Sequence, residues 1–362
     1  MNRPVHGGNL TWAAEVAGCS PDFILDFSAS ISPLGPPQSV LQAIQAALAN
    51  LRHYPDPGYT SFCQAIAQHH GLSPQQVLPG NGAAELLTWA CRDLAKLGAV
   101  GLPVPAFGDY YRALQGFDGV VVPQGIQADG AWLGNEAFLD RLVHRRRSLQ
   151  LAGLLLNNPH NPTGRLFSKS SLLPLLDQFD LVVVDEAFMD FLPANQQESL
   201  VGQVSSHPNL VVLRSLTKFY SLPGLRLGYA VGSPERLERW RRWRDPWPVN
   251  SLAVSAAVAA LADTAFQQHT WDWLAATRPA LYTGLQSIAQ LDPLPGVANF
   301  FLVCCDRPVP LLQAALLKHH RILIRDCLSF PELGDRYFRI AVKTEAENQQ
   351  LLAALAVEMA GQ

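Results

Sequence analysis

Between about residues 80 and 232, short apolar runs alternate with stretches of helical spacing. The runs are Ala99–Leu102, Gly119–Pro123, Leu151–Leu156, Leu181–Val184, Leu210–Leu213 and Leu227–Val231. Several are β-branched, as in Val120-Val121-Val122. They are continuously apolar rather than alternating, so the strands they form have no face for water. Such strands belong in a mostly parallel sheet covered by helices on both faces. The helical pattern of Gly82–Lys96 and a short helix over Leu173–Phe179 supply covers. The expected class is therefore α/β.

The pattern breaks at Asp245-Pro246-Trp247-Pro248, where two prolines end any helix. Beyond it come helical stretches at Asn250–Ala262 and Ala265–Gln290. Apolar runs follow at Val297–Val303 and Arg336–Val342, and then a last helix at Glu345–Glu358. This predicts a smaller α+β domain over 246–362, after a large domain over 36–245. Residues 1–35, rich in Gly, Pro and Ser, read as an arm. A chain of 362 residues with 48% hydrophobic content can fill two cores.

Several partner classes are disfavoured. The net charge is −3, and Arg239, Arg241, Arg242 and Arg244 alternate with Trp240 and Trp243, a solvated or interface helix face. No nucleic-acid partner is expected. The six cysteines form no C-x-x-C pair, so they read as reduced thiols, and no metal site is expected. The first dozen residues hold no apolar signal core, and Val249–Ala262 is too short and too polar to span a bilayer. A cytoplasmic protein without a membrane partner is the expectation.

The chemistry-bearing residues follow the strand runs. Arg214-Ser215-Leu216-Thr217-Lys218 comes after one, with Gly224-Leu225-Arg226-Leu227-Gly228 close behind. Lysine forms Schiff bases with carbonyls, and hydroxyls with an arginine suit a phosphate. Pyridoxal phosphate has both groups. Asp185-Glu186 ends another run, where ligands of open parallel sheets bind. A carboxylate there can pair with a pyridine nitrogen or hold Mg²⁺. Asn161-Pro162-Thr163-Gly164 is a turn or a ring-oxygen donor. Gly80-Asn81-Gly82-Ala83 opens a helix, where backbone N–H groups can meet a phosphate. No G-x-x-x-x-G-K-[ST] occurs, which disfavours a P-loop.

Taken in chain order from Gly80 to Arg226, with the aromatic patch Phe107 and Tyr110, the motifs resemble fold-type I pyridoxal-phosphate enzymes of the histidinol-phosphate aminotransferase branch. His6-Gly7-Gly8-Asn9, Leu25-Asp26-Phe27-Ser28, Pro33-Leu34-Gly35, Tyr54-Pro55-Asp56, Pro246 to Asn250 and Ile322 to Cys327 extend the likeness. They look like the threonine-phosphate decarboxylase family of cobalamin biosynthesis. The resemblance implies a large cofactor domain, a small α+β domain and a homodimer with a shared site. It implies that Lys218 carries the cofactor as a Schiff base, Asp185 faces the pyridine nitrogen, Asn161 the ring oxygen, and Tyr110 stacks on the ring. Gly82, Ala83, Ser215, Thr217 and Arg226 would hold the cofactor phosphate, with Tyr54 from the neighbouring subunit. Arg325, Arg339, Ser30, Asn161 and the arm residue His6 would meet a phosphorylated amino acid, and Lys218 would return a proton to Cα. The alternative reading is a phosphorylated-amine aminotransferase. Four positions depart from the pattern: Phe188 replaces the tyrosine common in aminotransferase relatives, Ser30 and Ser32 fall in an Asn-x-Asn segment, and His160 replaces an asparagine.

Overall fold

The computed structural model describes residues 3–128 and 131–360. Its centre is a seven-stranded sheet ordered Val77–Asn81, Leu227–Gly232, Leu210–Ser215, Leu181–Asp185, Leu151–Asn157, Ala99–Val104, Val121–Gly125. The last five in that order run parallel, and Leu227–Gly232 is antiparallel to both of its neighbours. The four inner strands that were apolar throughout are buried along almost their whole length. Helix Ala83–Ala95 buries Leu86, Leu87, Ala90 and Leu94 on one face of this sheet. A larger apolar cluster fills the other face and runs on into the C-terminal domain.

Two local expectations shift. The Val77–Asn81 strand is absent from the pattern of apolar runs because it carries Pro79 and Gly80. It lies at the sheet edge, where a missing N–H is tolerated. The helix expected at Leu173–Phe179 spans Lys169–Leu176, because Ser168 Oγ accepts from Ser171 N at 3.2 Å and starts it earlier.

The C-terminal part has a four-stranded antiparallel sheet ordered Leu291–Pro293, Phe300–Cys305, Tyr337–Ala341, Arg325–Asp326. Helices Thr264–Gln286 and Glu345–Ala360 accompany it. The stretch read as an arm is anchored here. Helix Leu10–Ala17 packs Ala13 and Ala14 with Leu317 and Leu323, and Leu25–Asp26 pairs in parallel with Ile322–Leu323. Before Asn9, Arg3 is tied to Asp326 and Gln313, and His6 and Gly7 reach the cleft described below. No helix among the described residues is long and apolar enough to cross a membrane.

Candidate active site

A cleft of about 360 Å³ opens at the carboxyl ends of the parallel strands, between the two sheets. In chain order the sheet grows outward from Ala99–Val104 in two directions, to Val121–Gly125 on one side and Leu151–Asn157 on the other. The strand ends at such a reversal leave a crevice, which is where ligands sit in open α/β sheets. Asn157 and Asp185 end adjacent strands and stand opposite each other in register. Asn157 Nδ2 donates to Asp185 O at 2.6 Å, and Asn157 Oδ1 accepts from Asn161 N at 2.6 Å. The strand end thereby holds the following turn.

The cleft gathers ten of the residues picked out in the sequence: His6, Ser30, Tyr110, Asn161, Asp185, Thr217, Lys218, Arg226, Arg325 and Arg339. Lys218 Nζ lies over the Phe188 ring, 5.0 Å from its centroid. Burial pushes the Lys218 amine below its ordinary range, Asp185 pulls it back, and Arg339 and Arg226 push it down further. Burial also raises the Asp185 carboxyl, opposed by Lys218, the Tyr110 hydroxyl and the Ala187 N–H. Low dielectric thus works against both charges. An amine so displaced reaches its neutral, nucleophilic form at lower pH.

Tyr110 has a further contact. Its hydroxyl donates to Asp185 Oδ2 at 2.7 Å, while Ala187 N donates to Oδ1 at 3.0 Å. The phenol is therefore tied to the carboxylate at this end of the cleft.

Gly82, Ala83 and Ser215 do not line the cleft themselves but border it. A Cβ on Gly82, which has φ +77°, would come within 2.5 Å of Arg226 Nη2. One on Gly228 would come within 2.5 Å of Ala83 N. Only glycines permit this approach of helix start, strand and guanidinium. Ser215 Oγ and Thr217 Oγ1 share a hydrogen bond of 2.7 Å. Backbone N–H groups at a helix start, a hydroxyl and an arginine make a cradle for an anion. Tyr54 is outside the cleft of this chain. It is 79% exposed and stacked on Trp247 at 4.5 Å.

The small sheet forms the opposite wall. Arg325 and Arg339 are cross-strand partners, and like charges directly opposite are unfavourable. Among the described residues neither makes an ion pair, and Asp326 is taken by Arg3 at 3.0 Å. Arg325 Nη2 donates to Ser329 Oγ at 2.6 Å and also to Val5 O. Arg339 Nη1 donates to Asn161 Oδ1, which leaves the Asn161 amide NH₂ as a donor. Burial, and then Arg325, push Arg339 down to about 10. Arg339 Nε and Ser30 Oγ are buried without partners. Paired cations with open donors suit an anionic ligand.

The N-terminal segment closes one end. A Cβ on Gly7 would lie 2.4 Å from Ser28 O, and Gly8 N donates to Ser28 Oγ at 2.7 Å. The glycine pair lets the chain cross Ser28 and places His6 beside Phe107, with its Nε2 3.9 Å from Asp109 Oδ1. Asn157, Ser28, Asp109 and Phe330 were not singled out in the sequence as site residues, yet they line the cleft. Asn157 directly follows the Leu151–Leu156 run, a position that could have flagged it. Phe330 sits in a loop with no such signal.

Behind the site, Glu186 and Arg214 carry charge inside the core, at 0% and 1% exposure. Arg214 Nε lies 3.0 Å from Glu186 Oε2, and Arg214 Nη1 reaches Asp190 Oδ1. Ser199 Oγ and Leu200 N also donate to Glu186. Each member adjoins a site residue, Glu186 next to Asp185 and Arg214 next to Ser215.

The family model for aminotransferase class I and II matches residues 23–355. The threonine-phosphate decarboxylase of Salmonella typhimurium is 40% identical over 97% of this chain and 95% of its own. Histidinol-phosphate aminotransferase 2 of Pasteurella multocida is 33% identical over 92% and 89%. The structure of the Sinorhizobium meliloti histidinol-phosphate aminotransferase, in complex with pyridoxal-5'-phosphate, superposes with a TM-score of 0.85. It is 25% identical, over 97% of this chain and 94% of that one. The fold is the fold-type I transferase fold, and by the span of these matches the chain belongs to the aminotransferase class I and II family.

Proposed function

We propose that this chain decarboxylates L-threonine O-3-phosphate to (R)-1-amino-2-propanol O-2-phosphate and CO₂, using pyridoxal phosphate, in cobalamin biosynthesis. The observation that carries this reading is the unpaired Arg325–Arg339 couple facing the Lys218 side of the cleft. A substrate with a carboxylate and a phosphate needs two fixed cations, and the sheet forces these two together. The relative of higher identity described above is a decarboxylase at 40%, against 33% for an aminotransferase.

The residues present fit the cofactor. The glycine-lined recess beside Arg226, with Thr217 and the Ala83 N–H, takes a phosphate. Asp185 takes the pyridine nitrogen, Asn161 NH₂ the ring oxygen, and Lys218 the aldehyde carbon. Phe188 offers no hydroxyl to that ring oxygen, as a tyrosine would. Bound there, pyridoxal phosphate supplies an electrophilic carbon for the substrate amine and a ring that accepts the electron pair left on Cα.

The chain's own groups then set which bond breaks. Arg325 and Arg339 hold the substrate's anionic ends, and the phosphate contact orients the carboxylate for loss. His6 and the Val5–Gly8 segment cover the cleft and exclude water. CO₂ leaves its bonding electrons behind, and Lys218 Nζ, free once the substrate amine has replaced it at the aldehyde carbon, would deliver one proton to Cα, regained from solvent. Exposed Tyr54 on Trp247 supports a homodimer in which Tyr54 reaches the partner's phosphate cradle. Six free cysteines suit a cytoplasmic setting. A substrate-closing N-terminal segment, a cofactor domain and a small domain are part of the same reading.

The test is product analysis with L-threonine phosphate and no keto acid. Equal amounts of CO₂ and aminopropanol phosphate are expected. Absence of CO₂, with amino transfer once histidinol phosphate and 2-oxoglutarate are supplied, would replace this reading by the aminotransferase.

A further inference from the structure

Away from the cleft, the last turns of helix Glu345–Ala360 lie against a π-type turn, Leu316–His320. Two consecutive histidines meet there on one carboxylate oxygen. His319 Nδ1 is 2.8 Å from Glu358 Oε1, and His320 Nε2 is 3.1 Å from the same atom. Adjacent side chains on an α-helix diverge by about 100°. The wider π winding, and the use of different ring nitrogens, make this convergence possible. The rings are tilted by 74° to one another, so both edges face the carboxylate.

We propose that His319, His320 and Glu358 form a binding site for a zinc-type divalent cation. Two imidazoles and one carboxylate are a borderline-soft set that favours Zn²⁺ over Mg²⁺ or Ca²⁺, which require mostly oxygen ligands. Tetrahedral zinc with ligands at about 2.0–2.2 Å sets neighbouring ligand atoms about 3.3 Å apart. The observed 2.8 and 3.1 Å from each ring nitrogen to the carboxylate oxygen are slightly shorter, and the three atoms all lie within 4.8 Å of one another, so small side-chain rotations bring them onto one ion. Coordination uses the lone pair of the ring nitrogen facing the carboxylate and leaves the other nitrogen as the N–H donor.

The surroundings agree. Burial opposes ionisation of the Glu358 carboxyl, but hydrogen bonds from both histidines hold it below its ordinary range. Arg307 is engaged on the Glu358 backbone carbonyl at 2.6 Å. His319 is 62% exposed, which leaves room for water as a fourth ligand. Arg321 follows the π turn and leads into Ile322–Leu323 and Arg325–Asp326. A metal here clamps the C-terminal helix to the segment that carries one wall of the cleft. Its role is structural and does not rest on the function proposed above.

Titration of Zn²⁺ into the holoenzyme in a non-chelating buffer tests this. One saturable site per chain and a rise in melting temperature are expected, with no rise on adding Mg²⁺. His320→Ala and Glu358→Gln should weaken binding at least about tenfold. His319→Ala, at an exposed position, keeps the fold and should abolish the thermal shift while turnover stays unchanged. Zinc binding equally tight in His319→Ala, or no saturable binding to the parent chain, would overturn the proposal.

Discussion

On the sheet side of the cleft, Asp185 has one carboxylate oxygen bound to Tyr110 and the other to the Ala187 N–H, and Asn157 is bonded at both ends. On the small-domain side, Arg339 Nε and Ser30 Oγ are buried with no partner, and Arg325 is held by Ser329 and a carbonyl of the N-terminal segment. Asp185 and Asn157 on the first wall are fixed by the protein's own groups. The second is left with open donors and repelling charges. A buried donor without a partner costs about 1–3 kcal/mol, so that wall gains most when an anion arrives.

The largest break in this comparison is Lys218→Ala. It removes the buried amine that Asp185 on one wall and Arg339 on the other bias in opposite directions, and turnover should fall by about 10³-fold or more, read as CO₂ release. Activity near that of the parent would refute the role given to Lys218.

Arg214→Met attacks the sheet wall from behind. It strands Glu186 and Asp190 without their cation, which costs about 3–5 kcal/mol for a buried pair. Denaturant unfolding should show that loss. If the variant also binds pyridoxal phosphate more weakly, the ion pair positions Asp185 and Ser215. Unchanged stability would show that the pair supports nothing.

Arg339→Ala is the mildest and the most selective. Losing one charged hydrogen bond, about 1.5–3 kcal/mol, should raise KM by about 10- to 150-fold. Cofactor retention, followed by absorbance, should hardly move. Equal loss of both would erase the distinction between the two walls.

The sheet wall was legible because its parts are local in sequence. A buried strand predicts its own carboxyl end, so Asp185, Lys218 and the Asn161 turn stand next to apolar runs that announce them. Asn157 lies one residue beyond the apolar run, and its own polarity hides that the strand continues through it. The edge strand around Pro79 was missed because its pairing, not its composition, makes it a strand. The Tyr110 hydroxyl on Asp185 was missed because the residues lie 75 apart, and nothing local says which way a phenol turns.

What the sequence determined alone is the α/β architecture, the order of the strands' chemical motifs and the glycines that clear space for an anion. These follow from periodicity, burial and backbone freedom, which are properties of short stretches. Only the tertiary structure decided that Arg325 and Arg339 face each other across two strands, that residues 10–26 are stitched into the C-terminal domain, and that Gly7 crosses Ser28. Those are register and packing outcomes. They depend on free-energy differences summed over contacts between separate strands and segments of the fold, and no short stretch of sequence contains them.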